Sequence, residues 1–152
     1  LVDTDAAIIR ECIDVNVTGA ILVAREAARA LIANAATEGR AIVNISSVAA
    51  LLGAAGQYVD YAASKGAIES FTVGLAREVA AEGVRVNLVR PGIIDTEIHA
   101  SGGLPDRARD MASLIPMQRP GTADEVAQSI LYLLSDAASY VTGAALNVSG
   151  GR

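Results

Sequence analysis

The chain is poor in several things at once. It holds one cysteine (Cys12), one histidine (His99) and one lysine (Lys65) in 152 residues. A single cysteine excludes a disulfide framework and a cysteine-based zinc site within the chain. A lone histidine falls short of the several ligands a metal centre needs, so no catalytic metal is expected and His99 reads as solvated or substrate-adjacent. A reducing, cytoplasmic compartment fits this cysteine usage. The longest apolar runs are broken by Arg, Glu or Asp, which excludes a membrane-spanning helix of about 20 residues. The net charge is −5 and the basic residues are dispersed, so there is no footprint for nucleic acid. Residues 1–15 lack a basic start and hold four acidic residues, so no signal peptide is expected. There is no internal repeat, no low-complexity linker and no Gly-x-Ser-x-Gly, the turn a serine hydrolase of the common α/β type needs.

What is present is an apolar, folded composition. Hydrophobic residues make up 52% and charged residues 19%, the opposite of a disordered chain. The length allows one domain. Of the 12 basic residues, 11 are Arg and only Lys65 is Lys. A chain so biased toward Arg keeps a lysine by chance or where a compact ammonium is required, because a planar guanidinium does not replace it.

Helical and strand patterns alternate. Thr4 or Asp5 is placed to cap a long helix in which Ile9, Ile13, Ala20, Ala24, Ala27 and Leu31 recur near helical spacing, ending at Gly39. Residues 41–45 read as a buried strand and residues 48–57 as a loop. A second helix is expected over residues 58–82, with Ser64, Ile68, Phe71, Leu75 and Val79 as its apolar stripe and Gly83 as its stop. Residues 84–89 form the next strand, closed by Pro91-Gly92. Residues 93–118 read as irregular. Thr122 and Glu125 make a capping box for a third helix running to about Ser135, and residues 144–148 are a last strand. This alternation argues a parallel sheet with helices on both faces, an α/β, doubly wound, Rossmann-type architecture. Three strands and three helices make only half of such a sheet. No Gly-x-Gly-x-x-Gly follows any strand; Gly53-Ala54-Ala55-Gly56 has the wrong spacing. The expectation is that roughly a hundred N-terminal residues, the dinucleotide-binding half, lie outside this sequence.

Four places are suited to chemistry. Tyr61 and Lys65 are four apart on one helix face, and an ammonium beside a phenol stabilises phenolate and lowers its pKa from about 10. Such a pair can act as acid and base on a carbonyl or alcohol oxygen; its bland alternative is a surface Tyr-Lys pair. Ser46 and Ser47 stand at the carboxyl end of a strand, where open α/β sheets bind ligands, although turn serines are common there. Asn16 lies mid-helix, where Asn is mildly unfavourable; it is either an exposed polar residue or a group organising a relay water. Pro91-Gly92 is either an ordinary turn or a place where backbone approaches a flat ligand closely.

In order along the chain stand Asn16-Val-Thr-Gly, Asn44-Ile-Ser-Ser47, Tyr61-Ala-Ala-Ser-Lys65, Val86-Asn-Leu-Val-Arg-Pro-Gly and Arg90-Pro-Gly-Ile-Ile-Asp-Thr96, then Tyr140-Val-Thr-Gly143 and Val148-Ser-Gly-Gly151. Together they resemble the short-chain dehydrogenase/reductase family, over its C-terminal, catalytic part. The resemblance implies that residues 1–152 are that part of a single Rossmann-type domain. It implies Tyr61 as acid–base residue, Lys65 as the group lowering its pKa and holding the nicotinamide ribose, Ser47 as the group polarising the substrate oxygen, and Asn16 as holder of a relay water. Ser46 stays an alternative to Ser47, because the spacing from Ser47 to Tyr61 is one residue longer than the family's commonest. Tyr58 has no lysine four residues on. The backbone of Pro91, Gly92 and Ile94, with Thr96, would meet the nicotinamide carboxamide or pyrophosphate of NAD or NADP, and residues 97–118 would cover the substrate. Ile94-Asp-Thr-Glu-Ile-His-Ala-Ser-Gly-Gly is similar to sugar and glucose dehydrogenases of the family, and Ala76-Arg-Glu-Val-Ala to 3-oxoacyl-thioester reductases. The implied function is an oxidoreductase acting on a secondary alcohol or ketone, a sugar among the substrates it implies. The competing reading is a noncatalytic binding protein of the same fold, which would have no need for all four catalytic residues. The implied assembly is a homotetramer or dimer, with the Ala-rich helices paired across a twofold axis.

Overall fold

The computed structural model describes residues 1–98 and 103–152. Its main sheet has three parallel strands, β1 (Ala41–Ile45), β2 (Arg85–Pro91) and β5 (Ala145–Val148), in the order β1-β2-β5. Ile42 stands opposite Val86, and Leu88 opposite Ala145. A second, two-residue parallel ladder pairs β3 (Ile94–Asp95) with β4 (Gly121–Thr122). The helices are α1 (Ala6–Ile13), α2 (Ala20–Ala33), α3 (Ala49–Leu52), α4 (Val59–Val79), α5 (Arg107–Asp110) and α6 (Ala123–Leu134). Parallel strands need crossovers, and α4 and α6 supply them.

β2 is buried on both faces, and its alternate residues serve different layers. Val86 packs with Ala28, Ala76, Val79 and Val84, against Leu31, Ile32, Ile42 and Leu75, so α2 and α4 cover this face. Each such aliphatic side chain contributes on the order of 1.5–3 kcal/mol when fully buried. The odd residues point the other way. Arg85 donates from its guanidinium to the carbonyls of Leu133 (2.6 Å), Leu134 (3.2 Å) and Ser135 (3.2 Å), closing the C-terminus of α6 with a cation as the helix dipole favours. Asn87, fully buried, donates to the Val141 carbonyl at 2.8 Å and accepts from the Ala144 N–H at 3.0 Å, fixing the entry to β5.

The sheet and the main helices agree with the sequence reading, and several details do not. β1 is an outer strand flanked only by β2 among the described residues, so it is half-buried rather than buried, and Ile45 is 44% exposed. The first helix is not continuous: residues 14–19 form a π-helical turn between α1 and α2. It starts as expected, Asp5 capping by accepting the Ala7 N–H at 2.8 Å, but it ends at Ala33, well before Gly39. The loop expected at 48–57 contains α3, stopped by Gly53 in the left-handed region at φ +73°. On α4 the buried stripe runs through Ser64, Ile68, Thr72, Ala76 and Val79, with Phe71 and Leu75 at its margin. Thr72 can occupy the centre because its hydroxyl accepts from Asn44 Nδ2 at 2.8 Å and donates to the Ile68 carbonyl at 2.7 Å. Residues 93–118 are less irregular than expected, since they include β3, α5 and a 3-10 turn. Thr122 and Glu125 form the capping box of α6 reciprocally, as the sequence predicts.

Candidate active site

The site forms where β1 and β2 end. The chain beyond β1 keeps following β2, with the Ser46 N–H donating to the Val89 carbonyl (2.9 Å) and the Val48 N–H to the Pro91 carbonyl (3.1 Å). Side-chain alternation then sends the two serines to different places. Ser46 is buried; its hydroxyl donates to Glu69 Oε1 at 2.8 Å and lies 3.3 Å from the Lys65 carbonyl. Ser47 turns to the other side, toward the cleft that Tyr61 also lines, and its hydroxyl accepts the Ala49 N–H at 3.1 Å. Of the two serines, Ser47 is the one whose hydroxyl lowers the phenol pKa against burial.

Tyr61 and Lys65 project from the first turns of α4. The Lys65 ammonium lies 5.5 Å from the Tyr61 ring centroid and donates to the Ile45 carbonyl at 3.1 Å. Burial pushes the phenol pKa above its ordinary 10; the Ser47 hydroxyl opposes this and the Cys12 thiol adds to it. Burial also lowers the Lys65 pKa below the usual ammonium value, against a smaller raising by Cys12. The lowering of the phenol by Lys65 expected from the sequence is not among the causes at work here; desolvation of the phenol dominates.

Asn16 sits inside the π-helical turn, half-buried rather than exposed, with Nδ2 3.5 Å from Cys12 Sγ. Such turns are often found at functional sites. The turn packs against α4, and among the described residues the side-chain hydrogen bond of Asn16 goes to Cys12, with none to Tyr61, Lys65 or Ser47.

A cleft of about 770 Å³ opens beside Ser47 and Tyr61. Pro91, Gly92, Ile94 and Thr96 all line it, and Lys65 and Asn16 do not. Gly92 also has a packing reason of its own. A Cβ there would lie 2.8 Å from Ser149 Cα, so the glycine admits the chain after β5, and its N–H donates to the Val148 carbonyl at 3.0 Å. His99 lies outside the described residues, as does part of the segment 97–118 expected to cover the substrate. Among the described residues no cluster of His, Cys, Asp or Glu could hold a metal ion, and no helix is long and apolar enough to cross a membrane.

Sequence reasoning missed the support beneath the site. Glu69 grips Arg90 with both oxygens, and Arg90 Nη1 donates to Asn147 Oδ1 at 3.2 Å. One carboxylate thereby ties α4 to β2 and β5 and, through Ser46, to the end of β1. The available signal was spacing, since Glu69 lies four residues after Lys65 on the same helix face.

A parallel α/β sheet with a serine, a tyrosine and a lysine gathered at the carboxyl ends of its strands defines a class of dehydrogenase-like proteins, and comparison with known proteins identifies which. A family model described as enoyl-(acyl carrier protein) reductase matches residues 1–152. The chain is 57% identical over 144 residues to the uncharacterized oxidoreductase YgfF of Escherichia coli strain K12, covering 95% of this chain and 58% of that protein. It is 42% identical over 138 residues to glucose 1-dehydrogenase of Gluconobacter oxydans, covering 90% and 51%. A solved structure of an ElxO variant with NADPH bound matches with a TM-score of 0.85 and 31% identity, covering 99% of this chain and 60% of that one. The chain belongs to the short-chain dehydrogenase/reductase family. It spans between 51% and 60% of the length of these relatives.

Proposed function

We propose that this chain carries the acid–base half of an oxidoreductase that interconverts a secondary alcohol and a ketone with NAD or NADP. The observation that supports this most is the meeting of Ser47 and Tyr61 on one open cleft, with the Lys65 ammonium 5.5 Å from the Tyr61 ring. Two hydroxyls that face one cleft can together receive a carbonyl oxygen. On reduction Tyr61 gives that oxygen its proton; on oxidation it takes the proton back. Ser47 orients the oxygen and polarises the carbonyl. Lys65 favours the phenolate whenever it forms.

The residues around the cleft fit a nicotinamide. Pro91 and Ile94 offer an apolar wall, and the Thr96 hydroxyl is exposed beside them. When bound, the nicotinamide supplies a hydride to the carbonyl carbon, or accepts one from the alcohol carbon. Pro91, Gly92, Ile94 and Thr96 would hold it, and Lys65 would hold its ribose. Asn16, in the π-helical turn, would hold a water that relays the proton to solvent.

Substrate reading follows the relatives. Glucose 1-dehydrogenase is a relative by name, which favours a polyol or sugar. A relative named 3-oxoacyl-(acyl-carrier-protein) reductase, from Pseudomonas aeruginosa and 46% identical over 111 residues, favours the second reading, a 3-oxoacyl-thioester reductase. A cytoplasmic homotetramer or dimer completes the proposal. The test is direct: the protein from its complete gene is assayed with NADH and NADPH against ketones, sugars and a 3-oxoacyl thioester. Turnover lost in Tyr61→Phe supports the proposal. Cofactor binding without turnover of any of them returns the noncatalytic reading.

A further inference from the structure

The cleft beside Tyr61 carries charge of one sign. Among its described lining residues the ionic side chains are Arg107 and Arg152, and no carboxylate is among them. Arg107 opens α5 and is half-buried. Its guanidinium lies 5.6 Å from the Tyr58 ring centroid, and its Nη2 donates to Gln57 Oε1 at 2.6 Å. Among the described residues both partners come from the loop between α3 and α4, and both are neutral. The neighbouring Asp106 is engaged elsewhere, 3.2 Å from Arg109.

A guanidinium has five N–H donors, and Gln57 uses one. A ring contact engages the cation's face and leaves its edges free. A partly desolvated cation with no counter-charge costs free energy unless an anion completes it. A latch between α5 and the α3–α4 loop would account for the contacts but not for the charge, since a neutral amide could bond Gln57 equally well. One guanidinium fork balances one negative charge and matches the planar geometry of a carboxylate.

We propose that Arg107 selects substrate by a carboxylate, carried at the end of the molecule away from the reacting carbonyl. This rests on the ketone-reduction reading above and adds the substrate class to it: keto acids and their hydroxy acid products. Gln57 and Tyr58 hold the guanidinium in place for it.

The test compares keto acids of increasing length, from acetoacetate through levulinate to longer homologues, with their methyl esters, on the protein from its complete gene. For the best chain length the acid is preferred over its ester by at least about tenfold in kcat/KM, a difference of about 1.4 kcal/mol. In Arg107→Met that ratio collapses toward one, through KM, and Arg107→Lys retains part of it. Calorimetry with hexanoate, which cannot react, shows at least about tenfold weaker binding to Arg107→Met. A wild-type ratio near one, a ratio unmoved by Arg107→Met, or a ratio moved by Arg152→Met in its place overturns the proposal. If no ketone is reduced, the ketone-reduction reading falls and hexanoate alone decides: binding that needs Arg107 upholds the anion site, and binding that does not, or none, removes it.

Discussion

Glu69 and Arg90 face each other as a two-pronged ion pair, with Nε to Oε1 and Nη2 to Oε2 both at 2.6 Å and each side chain only 17% exposed. The same Oε1 accepts the Ser46 hydroxyl, one residue before the serine that lines the cleft with Tyr61. The pair thus fixes the distance between α4, which carries the phenol, and the end of β1, which carries Ser47.

Glu69→Gln therefore destabilises the fold by about 2–3 kcal/mol, because it leaves Arg90 mostly buried with only neutral acceptors, the Gln oxygen and Asn147 Oδ1. The effect depends on pH. The hydrogen bonds from Arg90, then that from Ser46, hold the Glu69 carboxyl below its ordinary 4.5 against the opposing effect of burial. A lowered folded pKa contributes stability that is complete above the unfolded value and is lost as pH falls through the folded one. Urea melts of wild type and Glu69→Gln should differ most near neutrality and converge below about pH 4.5. A gap that persists at lower pH refutes this account.

Ser46 and Ser47 should separate stability from chemistry. Ser46→Ala removes a buried hydroxyl from the Glu69 network, costing about 1–2 kcal/mol in a thermal melt. Ser47→Ala leaves that network intact and should lower turnover far more than it lowers the melting temperature. If Ser46→Ala instead carries the larger loss of turnover, the roles assigned to the two serines are reversed.

Tyr61→Phe should fold as wild type and lose about 10²–10⁴-fold in turnover, the usual contribution of a positioned acid or base. Because burial pushes the phenol above its ordinary 10, it stays protonated through neutral pH. Ketone reduction, which needs the proton, should be flat over about pH 6 to 9, and alcohol oxidation, which needs phenolate, should climb toward alkaline pH. A steady-state pH profile that shows oxidation already at its plateau near neutrality would contradict this direction.

What could be read from the sequence was local. The Thr122–Glu125 capping box, the strand runs at Ala41 and Val86 and the four-residue spacing of Tyr61 and Lys65 depend on near neighbours. What could not be read depends on contacts far along the chain. Nothing beside Gly92 says that Ser149 will pack against it, and nothing in Asp14–Gly19 separates a π-helical turn from an α-helix. Thr72 sits in the buried stripe only because Asn44, 28 residues earlier, bonds its hydroxyl. Arg107 lies in a stretch without periodicity, and its place over Tyr58 comes from tertiary structure alone.

Assembly gives the last prediction. Leu22 and Val23 on α2 and Val73 on α4 are exposed, Val23 by 71%, and the two helices lie side by side. Neighbouring apolar residues left open on adjacent helices suit a self-complementary contact across a twofold axis. Val23→Asp is the informative change, because a surface position this open tolerates a charge within the subunit at little cost. Light scattering of the protein from its complete gene should give a multiple of the subunit mass for wild type and a smaller mass for Val23→Asp, with the subunit's circular dichroism unchanged. The rival explanation is that these side chains are covered within one subunit. In that case Val23→Asp would destabilise a wild-type monomer and leave its mass the same, and the twofold contact would be refuted.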